Sequence, residues 1–443
     1  MTFPESEVGG VEKGELVDAG RSPAATADHN PLHCPAPQPL RQPPYPMAEL
    51  DPLLEYLASG RTDSRAVTFP RGTVQPDGRL DLCKQSLGVE GCRRVIGALR
   101  GNTAIRSLML GTDAIGDEGA QSVAEIVAHT PNLATLYLGC NAIGPGGVEH
   151  LASAIEKSPH VKALWLKRNP IGPEGAIRLA ALIRRAPHLR VLDLVHTRLD
   201  VAALRHLTAA MLESDHIERL YLGGNALPPE AAEPLAKLLA RSTALQALFL
   251  NVNALGDTGC ELLARGVIHG DRRLRELGLG SNGLTPRSAP ALAEMLSASL
   301  PGTTSLQEQQ TPAPGTGPGC GFGLMEALDL GISASTRALC ATPNHLGDTG
   351  AAQLAQALPG APALRWLSLE KTGIGSAGKN ALAAAIPGTS LVDLKLETPG
   401  PALSAALSTQ RKRLGSGTGT GSVCSAAASS SVTATASIRS VYR

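Results

Sequence analysis

Three groups of residues have types and spacings that invite chemistry. The first is Asp193 with His196, three positions apart, with Lys167 and Arg168 upstream. A carboxylate that orients an imidazole is the general-base half of a nucleophilic site. No Ser or Cys stands at a matching position, so the four residues read as a mutually satisfied polar cluster. The second group is Gly373-Ile374-Gly375-Ser376-Ala377-Gly378-Lys379-Asn380, which satisfies G-x-G-x-x-G and nearly matches a P-loop. Asn380 lacks the hydroxyl that would hold magnesium. IGDEGA from Ile115, LGDTGC from Leu255 and LGDTGA from Leu346 fill the same slot elsewhere, so the segment is a recurring turn. The third group is the eight cysteines and eleven histidines, which show neither a C-x-x-C pair nor a metal-ligand spacing. No catalytic residue, cofactor or metal is expected.

The residues suited to binding are aromatic. Tyr137, Trp165, Tyr221 and Phe249 share one register, which Asp193 also occupies, and they are four of only eleven aromatics in the chain. Trp366 lies on the same face in its own segment. Trp and Tyr dominate binding hot spots, so a solvent-facing row of them predicts a docking stripe. Lys167, Arg168, Asp193, His196 and Asn251 flank the row as a polar rim. A plainer reading is that the rings only shield a sheet surface.

The spacing of those rings comes from a repeat. Ile105, Leu133, Val161, Leu189, Ile217 and Leu245 lie 28 residues apart, and Leu274 follows after 29. From Leu133 the chain reads Leu136, Leu138, Asn141, Ile143 and Gly144, then a helical stripe of Val148, Leu151, Ala152 and Ile155. L-x-x-L-x-L-x-x-N at this period is the signature of a leucine-rich repeat. Alternation in the short strand sends Leu136 and Leu138 inward and Tyr137 outward. Asn141, Asn169, Asn225, Asn253 and Asn282 form a column able to bond the backbone of the following turn. Thr197 and Thr372 interrupt it with a hydroxyl that meets only part of that need. No unit buries its own apolar face, so the units must stack. The expected fold is an α/β solenoid, a curved horseshoe with parallel strands on the concave face and helices on the convex one.

Around this array, residues 1–46 are Pro/Gly/Ala-rich and are expected to be disordered. Residues 47–79 carry Leu50, Leu53, Leu54 and Leu57 on one helical face and are expected to cap the array. The solenoid spans 80–397, and residues 398–443 form a Ser/Thr/Ala/Gly-rich tail expected to be flexible, with 400–408 able to add a short helix. Insertions at about 301–323 and 331–342 break the period: Leu274 to Met325 is 51 residues, and Asn344 follows Leu330 eleven residues late. They read either as surface loops or as non-coding sequence carried into the chain.

A period of 28–29 with a full helix resembles the ribonuclease-inhibitor-like class of leucine-rich repeats, which includes the Ran GTPase-activating proteins. The resemblance covers about residues 80–397. It is specific for fold and nearly mute about function; the aromatic row is what points to a non-enzymatic scaffold that binds a partner protein through its concave face. The activator branch would imply a small GTPase as that partner. That branch uses an arginine from an extended early loop and ends in an acidic tail. Here the early turns are tight, and the tail carries Arg411, Lys412 and Arg413. Ribonuclease inhibitor itself is longer, acidic and rich in cysteine.

Composition narrows the classes further. A net charge of +1 provides no global field for nucleic acid or a membrane surface. Glu5, Glu7, Glu12, Glu15 and Asp18 are unlike a signal or transit peptide, and no apolar run is long enough to span a bilayer. A monomer in the cytoplasm or nucleus is expected.

Overall fold

The computed structural model describes residues 45–270, 274–297, 325–331 and 342–415. The insertion expected at 301–323, most of that at 331–342, and the terminal segments 1–44 and 416–443 lie outside the described residues. Among the described residues, thirteen strands form one open sheet in chain order. A small antiparallel ribbon opens it: β1 (Val67–Thr68), β2 (Thr73–Val74) and β3 (Arg79–Asp81). Ten parallel strands follow, namely β4 (Ser107–Met109), β5 (Thr135–Tyr137), β6 (Ala163–Trp165), β7 (Val191–Asp193) and β8 (Arg219–Tyr221), then β9 (Ala247–Phe249), β10 (Glu276–Gly278), β11 (Ala327–Asp329), β12 (Trp366–Ser368) and β13 (Asp393–Lys395).

Each of the ten parallel strands is three residues long, and its central residue is always leucine. Leu108, Leu136, Leu164, Leu192, Leu220, Leu248, Leu277, Leu328, Leu367 and Leu394 are register partners. Those leucines point into the core between sheet and helices, and all are buried. The residues on either side of each point to the opposite face. Neighbouring strands lie about 4.8 Å apart, whereas packed helices need about 8–10 Å. The sheet is therefore the inner, concave side.

The helices that cover the core are α1 (Asp51–Ala58), α2 (Gly88–Leu99), α3 (Gly116–Val127), α4 (Pro145–Ile155), α5 (Gly172–Arg185) and α6 (Val201–Glu213), then α7 (Ala232–Arg241), α8 (Gly256–His269), α9 (Ala289–Ser297), α10 (Gly347–Ala357), α11 (Ser376–Ala385) and α12 (Pro401–Gly415). Helix α1 buries Leu50, Leu53 and Leu57 at the first end of the core, with Leu54 partly buried beside them. At the far end the chain departs from the expected flexible tail, because α12 is a fifteen-residue helix. It buries Leu403 and Leu407. Gln410 Nε2 and Arg413 Nη2 both donate to the Thr389 carbonyl, and Arg411 pairs with Asp393 at 3.1 Å. Those bonds satisfy a loop that would otherwise be left open at the end of the stack. No helix among the described residues is long and apolar enough to cross a membrane.

The asparagine column joins each repeat to the one before it. Asn169 Nδ2 donates to the carbonyls of Leu166, in its own repeat, and Leu138, in the previous one, both at 2.9 Å. Its Oδ1 accepts from Asn141 N and Ile143 N. Asn225 and Asn253 repeat the pattern. At Thr197 the hydroxyl donates to Leu194 O at 2.7 Å, with a longer contact of 3.5 Å to Asn225 Oδ1 in the next repeat, and it offers no amide to bond the previous one. The second insertion leaves the column intact. Asn344 bonds Leu330 O and Leu279 O and accepts from Asn282 N and Leu284 N, as if the intervening residues were absent. Asp113 takes the column position before Asn141. Its Oδ1 accepts from Gln85 N, but its buried Oδ2 has no partner, and burial pushes its pKa up to about 7.

Two stability measurements test this column. Asn169→Ala strips partners from four buried backbone groups, each costing about 1–3 kcal/mol when unsatisfied. Urea unfolding is expected to show a loss of at least about 3 kcal/mol. Asp113→Asn is expected to stabilise. A carboxyl whose folded pKa is raised contributes stability at low pH that is lost as pH rises through the folded value. The gain from Asn should therefore be small near pH 4 and full above pH 7, at about 1–3 kcal/mol.

Candidate functional site on the inner sheet face

The face of the sheet turned away from the repeat core carries a second apolar cluster. Met109, Ala163, Trp165, Val191, Val195, Tyr221, Ala247, Phe249 and Val252 form it, with Cys83 and Tyr137 packed against it. The rings expected as one column do meet. Centroid distances are 6.5 Å for Tyr137–Trp165, 5.1 Å for Trp165–Tyr221 and 4.6 Å for the stacked Tyr221–Phe249 pair. Their exposure is where the expectation fails. Trp165 is 0% exposed, Tyr221 2% and Phe249 6%, and only Tyr137 is half-buried. The rings lie over one another instead of standing out from the sheet, so the row is a small core and not an open stripe.

Glycines in neighbouring repeats make the seats. A Cβ on Gly111 would fall 2.5 Å from the Tyr137 ring, and one on Gly278 would fall 3.0 Å from the ring of Phe249. His196 lies on Gly224 in the same way, with 2.2 Å to its Cε1. Small side chains at Ala163, Val191 and Ala247, at the start of their strands, leave further room.

The polar residues separate into distinct roles. Lys167 is buried, with its ammonium 5.2 Å from the centroid of the Tyr137 ring, and burial lowers its pKa. Arg168 and His196 follow their strands with φ of 56° and 52°. Burial, reinforced by Arg168, lowers the His196 pKa to about 4, so the ring is neutral. Asp193 Oδ2 accepts no hydrogen bond, so that oxygen does not orient the His196 imidazole. Asn251 Nδ2 donates to Asp329 Oδ2 at 2.7 Å, reaching across Gly278.

Asp193 is the unusual member. Its strand lies between those of Trp165 and Tyr221, in register with both. Two strand spacings would hold those rings nearly 10 Å apart, yet they approach to 5.1 Å, so they lean together over Asp193. The carboxylate is 0% exposed. Oδ1 accepts from Val195 N at 2.9 Å, while Oδ2 has no partner. Burial raises its pKa to about 6 against the lowering effect of Lys167. The indole Nε1 of Trp165 is also buried without a partner.

Reading only the column of rings overlooked Arg219 and Glu276, which stand first in their strands on the same face. They pair at 2.9 Å across Ala247 and are largely shielded. Trp366 stands first in β12, between Ala327 and Asp393, away from the ring stack. The P-loop-like turn is closed to phosphate. Gly375 N and Gly378 N, at the start of α11, donate to Asp348 Oδ1 from the previous repeat at 2.6 and 2.9 Å. Asp117 and Asp257 serve the following repeats in the same manner. Among the described residues no cluster of His, Cys, Asp and Glu could hold a metal ion.

Asp193→Asn keeps the bond to Val195 N and removes the buried charge. By the same linkage, the ionised Asp193 costs stability above about pH 6. At roughly 1.4 kcal/mol per unit, its shift from about 4 amounts to no more than ~3 kcal/mol. The melting temperature of Asp193→Asn is expected to exceed that of the wild type at pH 7.5 and to match it near pH 4.

A family model described as Leucine Rich repeat matches residues 129–152 and 157–180, the units built on β5 with α4 and on β6 with α5. No curated protein matches the chain in sequence. Among solved structures, the chain is similar to "Leiomodin-1 Actin-Binding Site 2", with 17% identity, a TM-score of 0.31, and 37% of this chain and 88% of that one covered. It is also similar to a tropomodulin C-terminal domain of Caenorhabditis elegans, with 21% identity, a TM-score of 0.30, and 35% and 92% covered. With thirteen strands in one open sheet among the described residues and the repeat pattern matched in two units, the fold is an α/β leucine-rich-repeat solenoid.

Proposed function

We propose that this protein is a non-enzymatic interaction module that binds a partner protein through the inner face of its sheet. One observation carries the reading: a second, aromatic cluster built on the sheet face that the repeat core does not use. Ten strands already bury their leucines against the helices, so stacking of the repeats does not require it. The cluster also holds two buried polar atoms without partners, Trp165 Nε1 and Asp193 Oδ2. Such atoms cost free energy in a closed site and are useful where a partner completes them. Tyr137 and Arg168, both half-buried, are the points of first contact. Charged pairs at the start of the strands, Arg190 with Glu218 and Arg275 with Glu326, form a polar margin. The 28-residue period with a full helix supports the ribonuclease-inhibitor-like class for the array.

Affinity capture from native lysate tests the face. The wild type is compared with Trp165→Ala/Tyr221→Ala and with Ile177→Ala, a change on the outer surface of α5. Circular dichroism confirms folding of all three. A protein held by the wild type and by Ile177→Ala but lost from the double variant is the expected result. Equal retention by all three would remove the inner face as the binding surface.

A further inference from the structure

We infer that Asp193 and the two rings above it form a closed recognition pocket for a basic side chain, Lys or Arg, carried by the partner protein. This rests on the inner-face reading and states what that face selects.

The inference begins from a comparison of carboxylates on the same face. Asp81, Asp193 and Asp329 end their strands, and each accepts a hydrogen bond from the backbone N–H two residues on. That bond is therefore a feature of the strand end and explains only one oxygen. The second oxygen of Asp329 accepts from Asn251, and Glu276 is paired with Arg219. Oδ2 of Asp193 has neither kind of partner, although it is fully buried. A carboxylate in that state is poorly solvated and attracts a cation strongly.

The resident cation does not fill the place. Lys167 stands two residues after Trp165 and acts on Asp193 through space, but its ammonium is held over the Tyr137 ring, and no hydrogen bond reaches Asp193 Oδ2. The walls around the carboxylate suit a visiting cation. Trp165 and Tyr221 are aromatic faces on either side of Asp193, and a guanidinium or ammonium between them would gain cation–π attraction from both. The rings now touch at 5.1 Å. A planar guanidinium between two faces needs about 7 Å, twice the ~3.5 Å contact distance. The two rings are also tilted by 40°, so the lid must part by about 2 Å and turn toward parallel. The indole N–H of Trp165 has no hydrogen bond to break as it swings.

The chain has two tryptophans, so Trp366→Phe leaves Trp165 as the only indole reporter. Full-length protein carrying that change would be titrated with blocked pentapeptides Gly-Gly-Arg-Gly-Gly, with citrulline or glutamate in place of arginine as controls. The arginine peptide is expected to shift Trp165 emission to the red and to saturate. Citrulline and glutamate peptides are expected to leave it unchanged. Asp193→Asn in the same background, folded by circular dichroism, is expected to weaken the response by roughly tenfold or more. An absent response, an equal response to citrulline, a preference for glutamate, or an unaltered response in Asp193→Asn would each overturn the pocket. The broader reading fails differently. If the Trp165→Ala/Tyr221→Ala variant loses the captured protein while Asp193→Asn retains it and the arginine peptide is silent, the face binds by other chemistry. If neither variant loses the protein, the face itself is not the site.

Discussion

The structure depends on a backbone debt that no single repeat can settle alone. Each unit turns sharply out of a three-residue strand, and the turn leaves buried N–H and C=O groups that secondary structure cannot pair. One asparagine per repeat meets both needs, because its amide carries donors and an acceptor on one planar group. It donates to leucine carbonyls in its own and the previous repeat and accepts from backbone N–H groups of that previous repeat. The stack is thereby cooperative by hydrogen bonding as well as by apolar contact. Where threonine stands in the column, the local carbonyl is satisfied but the bridge is not. Asn344 shows how strong the constraint is: after an interruption of eleven residues it returns to the column and makes the full set of bonds.

A second device works at the helix starts. The first turn of a helix presents unpaired N–H groups and a partial positive charge. In this chain Asp117, Asp257 and Asp348 each supply a carboxylate to the start of the next repeat's helical segment. That arrangement explains the glycine-rich turn at Gly373–Asn380. Its glycines give the close approach that a phosphate-binding loop also requires, but the anion already present is Asp348.

The inner face follows a different logic from the core. Inside, every parallel strand contributes the same leucine, and uniformity gives regular stacking. On the inner face each strand contributes something different, and the side chains reach across intervening strands to find partners. Trp165 reaches Tyr221 over Asp193, Arg219 reaches Glu276 over Ala247, and Asn251 reaches Asp329 over Gly278. Small or short residues at the bridged positions make this reach available. Asp193 is the exception, a charged group beneath the bridge, and its uncompensated oxygen makes this point of the face chemically distinctive.

The repeat, its period, the inward leucines, the asparagine column and the membership of one aromatic column were all legible in the sequence. Each depends on spacing along the chain, and a solenoid converts spacing directly into neighbourhood: residues 28 apart become adjacent strand partners. The fate of the outward residues was not legible, because it depends on side-chain direction. A ring in that register can stand in solvent or lie over a glycine in a neighbouring repeat, and both choices have the same spacing. Tyr137 over Gly111, Phe249 against Gly278 and the closure of Trp165 on Tyr221 were decided only in three dimensions. The helix at Pro401–Gly415 belongs to the same class. A short helix at 400–408 was open from the sequence, but its length was not: the open end of the stack supplies the apolar surface and unpaired carbonyl that order it to Gly415. Periodicity determined who the neighbours are, and packing decided which way each side chain turned to meet them.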